Sequence, residues 1–199
     1  MGKGEPVKVA IIPGHGNRQD SRGRYQFHPG AVSQMGTEAD MVRQIADHAR
    51  QLGRGAVAIC DSDAEGPWSY RSRRKAAHEF IGEGPGVVCH LHVNAGGGDY
   101  LLALHDPRSS TGRDYAMKWA ETIADQFGLS PRQVKVRAAE RSTWNNAANL
   151  IEPSYSATPA GVAAVLLEVG FIDTPSHREY LTGGAIAVQA AAICAAWET

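Results

Sequence analysis

Val7-Lys8-Val9-Ala10-Ile11-Ile12-Pro13-Gly14-His15-Gly16 reads as a strand that runs into a turn. Valine and isoleucine dominate its first six residues, Pro13-Gly14 breaks the strand, and His15 stands between two glycines. A buried strand of this kind delivers one imidazole to its C-terminal end. In open α/β sheets, ligands collect in the crevice just beyond such ends. We read His15 as the first ligand of a metal site, against the plainer reading of a turn histidine bonded to backbone.

Downstream, Asn17 to Gly36 is polar, contains glycine and shows no periodicity, so a long loop is expected there, functional or mobile. Thr37 then has the place of a helix N-cap, with Asp40 three residues on in the manner of a capping box. Met41, Val42, Ile45, Ala49 and Leu52 fall on one face of the helix that follows, which should end at Gly53. Glu38 lies three and four residues before Met41 and Val42, so it continues that apolar stripe. A carboxylate pointing inward there without a partner would cost several kcal/mol. The plainer reading is a first-turn acid meeting the helix dipole.

Ala56 to Cys60 and Gly86 to Asn94 read as two further strands, separated by a polar loop from Asp61 to Trp68 and a basic helix from Ser69 to Ile81. Arg71, Arg73, Arg74 and Lys75 are expected on a solvated face of that helix. Within Gly86–Asn94, Val88, His90 and His92 share one face, and Val87, Cys89 and Leu91 share the other. His92 sits at the C-terminal end of its strand, as His15 does. By itself it reads as well as a satisfied core histidine. His90 either orients His92 or is its accidental neighbour. Tyr100–His105 is a strand, Ser109–Phe127 a helix, and Gln133–Arg137 a short strand, while Glu140–Ala160 shows no clear periodicity. Val162–Val169 is nearly continuous apolar sequence, as a central parallel strand should be, and Glu168 is its one charged residue. Ala185–Trp197 closes the chain as a helix.

Strands alternating with helices give an α/β fold: one domain over residues 1–199, with a mainly parallel twisted β-sheet flanked by helices on both faces. His15, His92 and Glu168 then project at one edge of the sheet, and Glu38 opens the helix after the first strand. Two imidazoles and one carboxylate are a ligand set of catalytic zinc, which leaves a position for water. A second carboxylate that is not a ligand can carry a proton from that water to a leaving group. This is the layout of a metal-assisted amide hydrolase.

Composition narrows the partners. The 199 residues carry 20 basic and 21 acidic side chains, which does not indicate a surface for nucleic acid or anionic lipid. No apolar run approaches the ~18 residues that span a bilayer. Cys60, Cys89 and Cys194 lie in apolar stretches without a Cys-x-x-Cys spacing, so buried free thiols are expected rather than disulfides or a thiolate zinc site. Met1 to Pro6 is polar, so no signal peptide is expected in the chain as it stands. His48, His105 and His177 are expected on helix or strand surfaces, in structural roles. Exposed positions are expected for Arg24, Tyr25, Trp144 and Tyr155 in loops.

Gly14-His15-Gly16, Glu38, His92-Val93-Asn94-Ala95 and Leu167-Glu168-Val169-Gly170-Phe171 together resemble the zinc-dependent N-acetylmuramoyl-L-alanine amidases of the Amidase_3 type. The order is the family's, and the resemblance runs from about Val7 into the final helix. It implies cleavage of the amide between N-acetylmuramic acid and L-alanine in peptidoglycan. It also implies that His15, Glu38 and His92 ligate Zn2+ and that Glu168 is the catalytic acid/base. His28-Pro29-Gly30-Ala31 resembles the family's Asp-Pro-Gly-Ala, which makes Asn17–Phe27 an insertion that should border the substrate groove. The family usually has serine at His90 and asparagine near His78. Peptidoglycan or muropeptides are the expected partners of a monomeric catalytic domain without a wall-binding domain. Its expected place of action is the cell wall, reached by phage-type release or after removal of a leader. Two other readings stay open: a zinc carboxypeptidase on stem peptides, using Arg22, Arg137 or Arg141 for a terminal carboxylate, and a non-catalytic muropeptide-binding module.

Overall fold

Six strands form the central sheet, in the order β6-β1-β7-β10-β8-β9. The computed structural model describes residues 7–19, 24–61, 70–156 and 162–196. The polar start Met1–Pro6, most of the loop Asp61–Trp68, Arg22 and Trp197 lie outside the described residues, and the tip of the insertion lies outside them at 20–23. Strand β1 is Lys8–Pro13. Gly16–Gln19 and Tyr25–His28 follow as a hairpin (β2, β3), Val32–Ser33 and Gly36–Thr37 as a second, minimal one (β4, β5), and α1 spans Glu38–Leu52. Next come β6 (Val57–Ile59), α2 (Tyr70–Ile81), β7 (Gly86–Asn94), β8 (Leu101–His105), α3 (Ser110–Phe127) and β9 (Val134–Ala138). The chain continues through α4 (Arg141–Ser156), β10 (Val162–Phe171), a 3-10 turn at Pro175–His177, α5 (Arg178–Leu181) and α6 (Ala185–Ala195).

Strands β6, β1, β7 and β10 are mutually parallel. The chain reverses at β8, which pairs antiparallel with β10, and β9 then pairs parallel with β8. The two longest strands, β7 and β10, lie in the middle, where both faces are covered. On one face Val9, Ile11, Cys89, Leu91, Val165 and Leu167 pack against α1, α3 and α6 around the buried Trp119. On the other, Ala10, Ile12 and Val88 meet Ala77 and Ile81 of α2, while Leu102, Leu104 and Leu166 meet Ala148 and Ile151 of α4. Each buried Ile, Leu or Val contributes about 1.5–3 kcal/mol, so this alternation fixes the register of every strand.

Helix α1 starts where the sequence places it. Thr37 accepts a hydrogen bond from the Asp40 backbone N–H at 3.1 Å and donates its hydroxyl to the Asp40 carboxylate at 2.7 Å. Two expectations are corrected here. The stretch after His15 is no irregular loop, because Gly16 pairs with His28 and Asn17 with Phe27 in an antiparallel hairpin. The stretch 140–160 contains a helix, α4, with Pro153 inside it.

Candidate metal and catalytic site

Parallel pairing puts the ends of β1, β7 and β10 at one edge of the sheet. Gly14 donates its N–H to the Leu91 carbonyl at 2.7 Å, so the turn carrying His15 starts directly beside the end of β7. Glu168 is the register partner of His92 on β10. Glu38, the first residue of α1, is 4% exposed. His15, Glu38 and His92 each offer one ligand atom, and these atoms lie within 4.8 Å of one another.

Glu38 holds the cluster together. Its Oε1 accepts from His92 Nδ1 at 3.0 Å and from the Val93 backbone N–H at 3.2 Å. Its Oε2 lies 3.3 Å from His15 Nε2 and accepts from the Ala31 N–H at 3.1 Å. Burial alone would raise the Glu38 pKa, but the His92 hydrogen bond and the charges of both imidazoles outweigh it and hold the carboxyl below its usual range. Burial lowers the pKa of His15. At His92 burial acts the same way, but the hydrogen bond it donates to Glu38 and the charge of the neighbouring Glu168 leave the net shift upward.

Two glycines make the approach possible. A Cβ on Gly14 would stand 2.5 Å from His92 Nδ1. On Gly30, which has φ +69°, it would stand 2.5 Å from Glu38 Oε2 and 2.6 Å from His15 Cδ2. His15 itself has φ 61°, a left-handed conformation that non-glycine residues rarely adopt.

Buried polar atoms test whether a cation fits. Among the described residues, His92 Nε2 and Glu168 Oε2 have no hydrogen-bond partner. A donor set of two imidazoles and a carboxylate is what zinc takes in catalytic sites. The residues fit the ion.

Glu168 and His92 line a cavity of about 470 Å³ together with Leu102, Leu104, Leu150, Leu166 and Asn146. Its Oε2 is withdrawn from solvent, and burial, with a contribution from Glu38 and against the pull of His92, pushes its pKa up to about 7. A carboxyl poised near neutrality suits proton transfer in both directions. No lysine or arginine lines this cavity among the described residues. Arg141 is held by Asn149 and Glu152, and Arg137 donates to a backbone carbonyl.

His90 is anchored on α4. Its Nε2 is 2.9 Å from Ser154 Oγ on α4, and the Ser154 hydroxyl donates to the Leu150 carbonyl. His90 therefore donates from Nε2 and ties α4, the cavity wall, to β7. His105 and His177 are buried rather than on a surface. His105 Nδ1 bonds to the Asp106 carbonyl, and His177 accepts from the Phe171 N–H and reaches Asp99. His48 is exposed as expected. On the hairpin, Phe27 is 53% exposed and lines a small cavity together with His15, which puts the insertion at the edge of the site.

Sequence reasoning missed Arg73. Assigned to a solvated face, it is 1% exposed and donates to the carbonyls of Pro13 and His15. The signal was available: Arg73, Ala77 and Ile81 are spaced by four residues, so the buried stripe of α2 runs back through Arg73.

A family profile, Amidase_3, described as N-acetylmuramoyl-L-alanine amidase, matches residues 9–198. No curated protein matches the chain. Among solved structures, the catalytic domain of CwlV, an N-acetylmuramoyl-L-alanine amidase from Bacillus (Paenibacillus) polymyxa var. colistinus, aligns with TM-score 0.65 and 19% identity, over 96% of this chain and 95% of that one. The amidase AmiC2 of Nostoc punctiforme gives 0.65 and 16%, over 98% and 97%. The catalytic domain of an endolysin targeting Clostridium difficile gives 0.63 and 18%, over 96% and 97%. At these identities the structural likeness speaks for the fold, and the profile match speaks for the family.

Proposed function

The chain belongs to the N-acetylmuramoyl-L-alanine amidase family, and we propose that it cuts peptidoglycan with a zinc ion held by His15, Glu38 and His92 and with Glu168 as the acid/base. The observation that carries this reading is the convergence of three ligand atoms within 4.8 Å beside a carboxylate in register with one of them. Zinc bound there supplies a Lewis acid to the scissile carbonyl and lowers the pKa of water to about 7.

The remaining work falls to this chain's own residues. Glu38 fixes both imidazoles and cancels part of the charge of the ion. Glu168 takes the proton of the attacking water and returns it to the nitrogen that leaves with L-alanine. Because that nitrogen must lie beside Glu168, the stem peptide leaves on the side of the leucine-lined cavity next to α4. The glycan then lies on the side of His15 and the hairpin. No helix among the described residues is long and apolar enough to cross a membrane, and the substrate sets the place of action at the cell wall.

Mass spectrometry of digested peptidoglycan tests this reading. Free peptides that begin with L-alanine, with glycan strands left intact, are the expected products. Stem peptides shortened at the C-terminus but still attached to sugar would establish a carboxypeptidase instead. The absence of basic side chains around the cavity speaks against that outcome among the described residues. Unchanged substrate would leave only a binding module, a role in which the buried Glu168 carboxyl has no task.

A further inference from the structure

Arg73 stands on α2 against the metal-site turn and is hydrogen-bonded to two of its backbone carbonyls. Its guanidinium donates through Nη1 to the Pro13 carbonyl and through Nη2 to the His15 carbonyl, the latter at 3.2 Å. These two carbonyls bracket Gly14, whose own N–H is fixed on Leu91. The turn is therefore held from both sides, by the neighbouring strand and by the arginine.

What is held is an unfavourable conformation. His15 has φ 61°, and a left-handed backbone costs an L-residue about 1–2 kcal/mol. Such a conformation persists where the surroundings over-determine it. The direction of the His15 Cα–Cβ bond follows from that backbone, and with it the placement of Nε2 3.3 Å from Glu38 Oε2. A planar guanidinium fork can satisfy two carbonyls at a fixed separation, which the point charge of a lysine does not reproduce.

We propose that Arg73 is a positioning residue for the metal ligand His15: by binding the Pro13 and His15 carbonyls together it sets the left-handed turn that aims the imidazole at Glu38, and so sets zinc affinity without touching the ion. This rests on the zinc reading above. Partners that orient a metal ligand from behind are commonly worth about 10–100-fold in affinity, and Arg73 belongs in that range.

The test uses the whole chain and zinc itself. Dissociation constants are measured by competition with a chromophoric chelator for the wild type, Arg73→Lys and Arg73→Met, and Co2+-loaded samples report ligand geometry by their visible absorption. Both variants should bind zinc about 10–100-fold more weakly, with an altered Co2+ spectrum, and Arg73→Lys keeps the charge should the methionine variant fail to fold. The decisive readouts are zinc affinity and the Co2+ spectrum set beside the melting temperature of the metal-free protein, because a purely scaffolding role moves the melting temperature alone. Wild-type zinc affinity in the variants, even with a lowered melting temperature, would overturn the proposal and leave Arg73 a scaffold residue. A wild type that binds no zinc would overturn the metal reading itself, and this one with it.

Discussion

Glu168→Gln should retain zinc and fold normally, yet turn over roughly 10²–10⁴-fold more slowly, the usual scale for losing a general acid/base. The substitution is nearly isosteric and introduces no charge. The position is also one where burial disfavours the carboxylate, since the Glu168 pKa is pushed up to about 7. The fold therefore has little to lose from a neutral amide there. The chemistry has everything to lose, because an amide can neither accept the water proton nor return one to the leaving nitrogen. Zinc content and turnover on muropeptides, measured on the same sample, separate the two roles. A Glu168→Gln variant without zinc would mean that Glu168 is a ligand and that the assignment of the two carboxylates is reversed.

Gly30→Ala should be nearly as damaging, although residue 30 carries no functional group. Its Cβ would fall 2.5 Å from Glu38 Oε2 and 2.6 Å from His15 Cδ2, closer than real contacts come, at a φ of +69°. Backbone strain of about 1–2 kcal/mol adds to the clash. The side chains that must yield are two of the three proposed ligands, so zinc affinity should fall by about 100-fold or more, the upper end of what orienting partners cost. His92→Ala is the reference for full loss, since it deletes a ligand outright and should abolish both zinc binding and activity. Gly30→Ala with wild-type zinc affinity would show that the ion does not sit between Glu38 and His15.

Much of this site was legible because its residues mark the ends of regular elements. The apolar run to Ile12 dictated a buried strand and so delivered His15 to the sheet edge, and the run to Val169 did the same for Glu168. Spacing along α1 pointed Glu38 inward, and it is 4% exposed. The same spacing rule applied to α2 would have buried Arg73, but a run of four basic residues at 71 and 73–75 suggested solvent instead. What the sequence does not show is the row of backbone carbonyls that Arg73 meets, because these belong to a turn whose conformation is set by tertiary packing. Helix α4 was hidden for a related reason. It has no acidic residue in its first turn and it contains Pro153. Its buried Ala148 and Ile151 make too short a stripe to stand out until Leu102, Leu104 and Leu166 cover them. In the hairpin after His15, β2 carries no apolar residue and β3 alternates over only four residues, Tyr25-Gln26-Phe27-His28, too short a pattern to announce the pairing of Gly16 with His28. His90 was correctly placed on the face of His92 but serves α4 through Ser154, a partner that lies 64 residues away in sequence.

The central claim is that His15, Glu38 and His92 hold a zinc ion on which hydrolysis depends, and metal analysis of the purified protein by inductively coupled plasma mass spectrometry, paired with turnover on the same sample, tests it most directly. The account predicts about one zinc per chain in the active protein, as a single three-residue donor set requires, loss of activity when a chelator removes it, and recovery when zinc is returned. Metal-free protein that still releases L-alanine-terminated peptides at the full rate would contradict it.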